Sequence, residues 1–348
     1  MRKILLISNT VLHYRNRIYS AFYDMFIEKG YEFHVVSNNY QPVEWPEKFV
    51  KHELALSVKE YIKFIKELKP DVCINFLQLK DSRFFPLAIY CRFHNIPVIY
   101  WGHGINLSTP NAKLKNGLFH LMHSLSSAII LYSEEQLKYV KEKNRKKTFI
   151  AKNTLDFTGI DSKKLRAPEE VKAYYGIKEK RIVMYISRIL PYKQLDLLLE
   201  LFNDTPDIGV VVVGGGLSER QKKIIENTPN FYYLGEKYGK EVDEIYQMGD
   251  IFSTPGHIGL AINQAFYWGK PVIILNRRHA PEITYMKSGV NGFLANTKED
   301  LKDKICELCR NKEMLDYYSK NARRTYEQEM RIENMFKGFL DAVNYVLG

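Results

Sequence analysis

Two basic residues follow a predicted strand in the second half of the chain, at positions suited to binding a diphosphate. The apolar run "RIVMYIS" predicts a strand ending at Ser187, so Arg188 stands at its carboxyl end and Lys193 at the start of the next predicted helix. Two cations and a helix N-terminus can together neutralise a diphosphate without a metal ion. The alternative is that both are surface charges that pair with Asp196 or Glu200.

Several common catalytic motifs are missing from the sequence. It has no G-x-x-x-x-G-K-[ST] loop, no G-x-S-x-G elbow and no H-E-x-x-H helix, which argues against P-loop phosphoryl transfer, α/β-hydrolase chemistry and zinc proteolysis. "GHGINL" lacks the third glycine of a dinucleotide fingerprint. No D-x-D pair is present to hold a metal-bound nucleotide diphosphate, so side-chain cations and helix N-termini must bind any diphosphate.

The elements that position these residues alternate between strands and helices along the whole chain. Short runs rich in Val and Ile alternate with amphipathic stretches, a pattern typical of parallel sheets covered by helices. A polar segment beginning "NTLDFTGID" separates two such series. We therefore predict an α/β protein with two Rossmann-like, doubly wound domains that face a central cleft. The predicted bounds are 1–155 and 156–328, with a helix over 329–348 crossing back to the first domain.

The positive charge of the chain is concentrated in its first half. The formal net charge is +11, and residues 1–165 hold 25 Lys and Arg against 15 Asp and Glu, a net +10. This excess is either an ordinary solvated face or a surface that meets an anionic partner such as lipid headgroups. Aromatic-interleaved basic runs and known nucleic-acid modules are absent, so we expect no nucleic-acid partner.

The four cysteines indicate a reduced compartment, and no apolar run is long enough to span a bilayer. We therefore expect a cytoplasmic protein, peripheral on the inner face of the membrane if the basic half binds lipid. The "CELC" motif at Cys306 and Cys309 lies in a helical pattern without a second metal-ligand pair nearby. We interpret it as two small residues on a surface helix.

Eight segments resemble, in order, the GT-B glycosyltransferases of family four. "YISRILPYKQLDLLLELF" is similar to that family's "GR…KG…LL" segment, and "DIFSTPGHIGLAINQAFYWGKPVI" to its "PS…E.FG…EA…G.PV" stretch. The other six are "LKPDVCINF", "IPVIYWGHG", "AKNTLDF", "VVVVGGGLSERQKKII", "FYYLGEK" and "APEITYMKSGVNGFLAN". The resemblance covers nearly the full length. It implies a GT-B fold and sugar transfer from a nucleotide-diphosphate sugar.

The resemblance also implies roles for individual residues. Arg188 and Lys193 would neutralise the diphosphate and stabilise the leaving oxygen, and His103 would reach the transferred sugar or the acceptor from the first domain. The alternative is that His103 has only a structural role, as a turn residue between two glycines that is hydrogen-bonded to backbone. The implied donor-binding residues are His257, Gly259, Leu260, Gln264, Glu282 and the glycine-rich strand end at Gly215.

The sequence departs from the family at two positions. Its paired glutamates, eight residues apart, fall on Gly256 and Gln264. The amide oxygen of Gln264 can still accept hydrogen bonds from a ribose, more weakly for want of charge. Gly256 offers no side chain, and its neighbour His257 is a candidate to replace the missing sugar contact.

The family's glycine-rich loop after the first strand is also missing. "SNTVLHYRNRIYSAF" supplies side chains instead, and we expect Tyr14, Arg15 and Asn16 to bind the acceptor or, for the last two, to face the donor phosphates. Alternatively, Arg15 and Arg17 are exposed surface residues on the first turn of a helix.

The resemblance implies a retaining glycosyltransferase that needs no metal or cofactor. The expected substrates are a nucleotide-diphosphate sugar and a glycan or lipid-linked acceptor, in the synthesis of capsule, lipopolysaccharide or another surface polysaccharide. Two alternatives keep the fold. One is a nucleotide-sugar epimerase, which needs acid and base groups of which Glu282 is the main candidate. The other is a degenerate nucleotide-sugar-binding protein, supported by the loss of both glutamates.

Overall fold

The chain folds into two compact α/β units, each with its own parallel sheet and core. A computed structural model describes residues 1–43, 47–76, 81–107 and 110–348. Unit 1 consists of Met1–Asp156 and Arg331–Gly348, and unit 2 of Phe157–Met330. The C-terminal segment therefore returns to the unit in which the chain begins.

Unit 1 contains a seven-stranded parallel sheet. Its strands are β1 (Arg2–Ser8), β2 (Tyr31–Ser37), β3 (Val50–Glu53), β4 (Val72–Phe76), β5 (Val98–Gly102), β6 (Ala128–Leu131) and β7 (Thr148–Ile150). They lie in the order β3-β2-β1-β4-β5-β6-β7. The order reverses direction between β1 and β4, where a doubly wound sheet opens a ligand crevice at the carboxyl ends of its strands.

Unit 2 repeats this architecture with six parallel strands. They are β8 (Arg181–Ile186), β9 (Ile208–Val213), β10 (Phe231–Tyr233), β11 (Ile251–Phe252), β12 (Val272–Leu275) and β13 (Gly292–Ala295). Their order is β10-β9-β8-β11-β12-β13. The reversal falls at β8, which places the residues that follow β8 beside the predicted crevice.

Helices connect the strands and cover both sheets. They are α1 (His13–Glu28), α2 (Val58–Leu68), α3 (Phe84–Phe93), α4 (Lys113–Leu125), α5 (Glu142–Arg145), α6 (Pro168–Tyr175), α7 (Leu195–Phe202), α8 (Glu219–Glu226), α9 (Gly239–Met248), α10 (Ala261–Tyr267), α11 (Lys298–Arg310), α12 (Lys312–Glu329) and α13 (Ile332–Leu347). Four short 3₁₀ turns lie between them in the described part of the chain.

Both faces of the unit 1 sheet are buried. Ile4 and Leu6 of β1 belong to one core cluster, and Leu5 and Ile7 to the cluster on the other side. Successive side chains of a strand point to opposite faces, so a strand that is covered on both sides is apolar at every position. This is why these strands appear in the sequence as unbroken apolar runs.

Helix α13 packs on unit 1 through aromatic residues and one glycine. The ring of Phe339 lies 4.9 Å from that of Phe22 and 4.8 Å from that of Trp101. Gly338 faces the backbone of Ile150 so closely that a Cβ atom there would overlap the carbonyl group. This close contact attaches the C-terminal segment to the edge of the first sheet.

Two elements differ from what the sequence patterns indicate. Strand β3 carries the sequence "VKHE" at the sheet edge, and its alternately exposed, mostly polar side chains give no apolar run to detect. Helix α6 lies inside the polar segment that separates the two series of elements. Pro168 opens it and Gly176, with φ of +68°, closes it, so its ends follow ordinary capping rules.

Among the described residues, no helix is both long enough and apolar enough to cross a membrane. Nor do those residues contain a group of three or more His, Cys, Asp or Glu side chains suited to a metal ion. Cys306 and Cys309 lie on α11, and the second of these is buried rather than on the surface, at 5% exposure.

Candidate functional site

Arg188 and Lys193 lie close together beyond the carboxyl end of β8. Arg188 is exposed and forms no hydrogen bond or ion pair with any described residue. Lys193 ends the 3₁₀ turn Pro191–Lys193, and α7 begins two residues later, so Lys193 precedes the helix rather than starting it. Burial and the nearby charge of Arg188 lower the pKa of Lys193 to about 8. The pair therefore forms a local excess of positive charge.

The two acidic residues proposed as partners of these cations have other partners. Glu200 pairs with Lys298 at 2.9 Å, and Asp196 accepts a hydrogen bond from Gln221 at 3.0 Å. The alternative of ordinary surface ion pairs is therefore wrong for Arg188 and Lys193. Their charges remain available to an anionic ligand.

The glycine-rich end of β9 packs against the segment that carries Arg188. The N–H of Ile189 donates to the carbonyl of Gly215 at 2.8 Å. Gly214 has φ of +136°, and a Cβ atom there would overlap the carbonyl of Ser187. Gly215, predicted to bind the donor, thus lies beside the cationic segment, and its carbonyl holds that segment in place.

Gly256 occupies a position that cannot hold a side chain. Its N–H donates to the carbonyl of Lys193 at 3.1 Å, and the N–H of His257 donates to Tyr192 at 3.0 Å. A Cβ atom on Gly256 would lie 2.0 Å from the Tyr192 oxygen and 2.8 Å from the Lys193 carbonyl carbon. This backbone arrangement therefore leaves no room for the glutamate expected at position 256. The two hydrogen bonds attach the loop to the cationic turn instead.

We expect Gly256→Ala to destabilise the protein by about 1–3 kcal/mol, as overpacking against fixed atoms does. For a unit of this size, that corresponds to a fall in Tm of several degrees. Gly259→Ala is the matched control, because a Cβ atom there would meet Ala280 Cβ and a Glu282 oxygen at ordinary van der Waals distances of 3.5 and 4.0 Å. Thermal unfolding followed by circular dichroism measures both. Equal Tm values for Gly256→Ala and wild type would contradict the close contact.

The loop that follows Gly256 brings together the other predicted donor-binding residues. Its far side is held by a hydrogen bond from the Ala280 N–H to the Ile258 carbonyl at 3.0 Å. A Cβ atom on Gly259 would lie 4.0 Å from a carboxylate oxygen of Glu282, which is buried at 6% exposure. Leu260 is the N-cap of α10. The structure thus brings Gly259, Leu260 and Glu282 together.

His257 lies between the cationic turn and a second histidine. Its ring is 5.8 Å from that of Tyr192 and 6.2 Å from that of His279. Burial, followed by the charge of Lys193, lowers the pKa of His257. Its Nδ1 is buried without a hydrogen-bond partner among the described residues. His257 therefore has one buried ring nitrogen whose hydrogen-bonding capacity is not used by the described residues.

Gln264 is oriented by an aspartate that the sequence did not single out. Its Nε2 donates to Asp243 at 3.1 Å, and Trp268 Nε1 donates to the same oxygen at 3.2 Å. Because the amide nitrogen is bound to this carboxylate, the amide oxygen points elsewhere. Gln264 can therefore present an acceptor, and its contact with a donor ribose stays a prediction.

His103 of unit 1 is held in a defined tautomer by Gln136. Gln136 Oε1 accepts the backbone N–H of Tyr132 at 3.0 Å, so its Nε2 is the atom that faces His103 Nδ1 at 2.8 Å. An amide NH₂ donates, so Nδ1 accepts and the ring proton is on Nε2. Burial and the charge of Arg15 lower the pKa of His103 to about 4. His103 is therefore a neutral hydrogen-bond donor and more than a turn residue.

The three residues predicted on the acceptor side occupy different environments at the start of α1. Arg15 is buried at 5% exposure, so the alternative that it is an exposed residue on a helix surface is wrong. Asn16 is fully buried and its Nδ2 donates to Glu47. Tyr14 and Arg15 line a cavity of about 630 Å³, whereas Asn16 does not.

The same cavity includes residues that the sequence analysis missed. Arg83 and Asp81 line it together with Asn9 and Thr10, which follow β1. Arg83 donates to both carboxylate oxygens of Asp81, at 2.8 and 2.5 Å. The detectable signal was their position shortly after the predicted strand "DVCINF", since polar residues beyond a strand's carboxyl end are site candidates.

Comparison with known proteins identifies the segment that holds the cationic turn. The sequence profile described as "Glycosyl transferases group 1" matches residues 168–325, which lie within unit 2. This segment is therefore similar to the glycosyl transferases group 1 family. The predicted resemblance to the group 1 glycosyltransferases is confirmed, and Arg188, Lys193, Gly256 and Gln264 all lie in the matched region.

Two curated relatives of this chain are named for the synthesis of a glycosylated polymer or a glycosylated lipid. Poly(ribitol-phosphate) alpha-N-acetylglucosaminyltransferase of Staphylococcus aureus (strain COL) is 23% identical over 94% of this chain and 66% of its own length. Alpha-monoglucosyldiacylglycerol synthase of Acholeplasma laidlawii is 23% identical over 86% of this chain and 82% of its own. The chain spans 52% and 63% of two further curated relatives.

Solved structures confirm the predicted fold. The crystal structure of Anabaena HepE in complex with UDP superposes with a TM-score of 0.77, at 15% identity, over 99% of this chain and all of that one. The chain therefore has the GT-B fold with two Rossmann-like domains.

Proposed function

We propose that the glycosyltransferase moves a sugar from a nucleotide-diphosphate donor to a glycan or lipid-linked acceptor in the synthesis of a cell-surface polysaccharide or glycolipid. The observation that carries this proposal is the pair Arg188 and Lys193, adjacent to each other and without carboxylate partners in the described chain. The names of the staphylococcal and Acholeplasma relatives support the acceptor class. The UDP bound to HepE makes UDP-sugars the first donors to test.

The proposed reaction uses the two cations in place of a metal ion. As the bond between the sugar and the diphosphate breaks, negative charge grows on the leaving oxygen, and fixed positive groups stabilise it. The acceptor hydroxyl attacks from the same face, its proton passes to the leaving phosphate oxygen, and the sugar keeps its anomeric configuration. No separate general base is needed, so the glycine at position 256 does not prevent transfer.

Neighbouring groups would bind the rest of the donor. The N–H groups of Gly259 and Leu260 would donate to phosphate oxygens, and the amide oxygen of Gln264 would accept from the ribose. His257 and the buried carboxylate of Glu282 would contact sugar hydroxyls. In unit 1, the Nε2–H of His103 would donate to a substrate oxygen without exchanging its proton.

The test is to incubate the chain with UDP-glucose and UDP-N-acetylglucosamine, with and without lipid and polysaccharide extracts, and to analyse products by NMR. Transfer with the donor's anomeric configuration supports the proposal. An isomerised donor formed without acceptor would instead identify an epimerase. Tight donor binding by calorimetry with no turnover on any extract would identify a binding protein.

We also propose that unit 1 binds an anionic membrane through α4. Leu114, Leu118 and Leu121 recur along this helix at helical spacing and are exposed at 83%, 38% and 47%. The exposed residues beside this stripe include Lys113 and Lys115. A helix that presents leucines to solvent beside lysines has the composition of an interfacial helix.

The basic run of the sequence lies next to this helix. Asn144 of α5 donates to Ser124 of α4 at 3.5 Å. The cations Lys141, Lys143 and Arg145 around Asn144 are exposed. Apolar and basic groups together favour a lipid surface over a protein partner, because headgroup phosphates and acyl chains match both.

Leu114→Glu/Leu118→Glu is expected to weaken binding to vesicles of anionic phospholipid at least tenfold, since it removes apolar contact and adds negative charge. Sedimentation with phosphatidylglycerol vesicles, compared with pure phosphatidylcholine, measures this. Val290→Glu, at an exposed apolar residue of unit 2, is the control. Equal sedimentation of the double variant and wild type would refute α4 as the contact.

A further inference from the structure

The unit 1 cavity contains a buried cation, Arg15, whose charge is not compensated by a carboxylate of the described residues. Arg15 is 5% exposed and forms no ion pair with a carboxylate in the described part of the chain. Its Nη1 is buried and has no hydrogen-bond partner there. Burying an unpaired charge is costly unless something in the site interacts with it.

Aromatic rings provide part of that interaction. The guanidinium carbon of Arg15 lies 4.7 Å from the ring centre of Trp101, 5.1 Å from Phe76 and 5.5 Å from Tyr14. Such contacts between a cation and the face of a ring are attractive. The rings hold the guanidinium in place and the Tyr14 hydroxyl hydrogen-bonds to it, but none of these neutral groups neutralises its charge. An anion remains the best partner for Nη1.

A second buried arginine lines the same cavity. Arg83 is 3% exposed, and Asp81 binds its Nε and Nη2 and compensates its charge. Its Nη1 is buried and, like that of Arg15, has no partner among described residues. The cavity thus offers two unused guanidinium donors and one net positive charge. Asn9 and Thr10 add polar groups to its wall.

We propose that this cavity binds an anionic group of the acceptor, a phosphate or a carboxylate, through Arg15 and Arg83. The proposal rests on the proposed function, since it assigns the donor diphosphate to the cations of unit 2 and the remaining anion to unit 1. Planar guanidinium groups bind both kinds of oxyanion with charge-assisted hydrogen bonds. The rings of Tyr14 and Phe76 provide an apolar wall for the carbon skeleton that carries the anion.

Binding to the full chain tests the site without requiring turnover. Inorganic phosphate, glycerol 3-phosphate and glucuronate are titrated at constant ionic strength with chloride as reference, and Tm and calorimetric heat are recorded. We expect a saturable rise in Tm with the two phosphates or with glucuronate. Which of these compounds bind shows whether the site prefers a phosphate or a carboxylate. A rise no greater than that with chloride for all three would overturn the proposal.

Variants locate the binding. Arg15→Gln is expected to weaken the anion at least tenfold, in line with the loss of a charge-assisted contact, and Arg15→Lys to weaken it less. Arg92→Gln removes an exposed cation of the same unit and should bind like wild type. Circular dichroism identifies any variant that does not fold, and the wild-type titration repeated with saturating UDP, which occupies the cations of unit 2, then decides. Equal affinity of folded Arg15→Gln and wild type would overturn the assignment.

Kinetics separate this proposal from the proposed function. With an active acceptor, Arg15→Gln should raise the acceptor KM at least tenfold and leave the donor KM unchanged. Unchanged acceptor KM in an active variant refutes the anion site and leaves glycosyl transfer intact. Saturable anion binding that Arg15→Gln removes, in a chain that turns over no donor, supports the site and contradicts the function.

Discussion

Arg188→Ala is expected to lower kcat for sugar transfer by about a hundred- to a thousand-fold, the usual effect of removing one fixed group that stabilises developing charge. The reason is the position of Arg188 beyond β8, next to Lys193 and without a carboxylate partner in the described chain. The loss should appear mainly in kcat, because the charge on the leaving oxygen is greatest in the transition state. Steady-state release of the nucleotide diphosphate measures it.

Two further variants make this test specific. Arg188→Lys keeps the charge but loses the planar fork, and we expect activity between that of wild type and Arg188→Ala. Arg220→Ala removes an exposed arginine of α8 in the same unit and should keep near wild-type kcat. A similar loss in Arg220→Ala would show that net charge, not the position of Arg188, is responsible.

The kcat/KM of the wild-type enzyme is expected to fall as pH rises through about 8. Burial and Arg188 lower the pKa of Lys193 to about 8, so the free enzyme loses this cation above that pH. The protonated form is the active one, so the fall lies on the alkaline side. Because kcat/KM reports groups of the free enzyme, this limb should be visible at low donor concentration.

Lys193→Arg is the control for this pH dependence. A guanidinium stays charged throughout the accessible range, so the alkaline fall near pH 8 should disappear. Lys193→Met should lower kcat/KM by about a hundredfold or more below pH 8, where the wild-type cation is present. An unchanged alkaline limb in Lys193→Arg would assign it to another group. His103 does not titrate there, because burial keeps its pKa near 4.

Much of the fold could be predicted because the strands are buried on both faces. The run "VVVV" in β9 indicates a strand that is buried on both faces, since every position packs against helices. Strand β3 escaped prediction because pairing at the edge of the sheet, not burial, defines it. The local sequence indicates which residues are buried, but it does not indicate which neighbouring strand a polar strand pairs with.

The residues of the candidate site could be predicted where their position after a strand determines their role. They could not be predicted where contacts with residues distant in the sequence determine it. Arg188 and Lys193 follow from the rule that ligands meet the carboxyl ends of strands. Gln136, which sets the tautomer of His103, stands 33 residues away from it, and no sequence spacing links the two. In the sequence Gly256 looks like a lost side chain, whereas in the structure the backbone of the cationic turn occupies that space.

Donor turnover by the EDTA-treated chain, measured for wild type and Arg188→Ala side by side, shows whether side-chain cations replace a metal ion. Hydrolysis or transfer of a UDP-sugar should persist in wild type at its untreated rate and be reduced at least a hundredfold in Arg188→Ala. Loss of wild-type turnover in EDTA with recovery on adding Mg²⁺, or full activity of Arg188→Ala, would contradict the role assigned to the cationic pair.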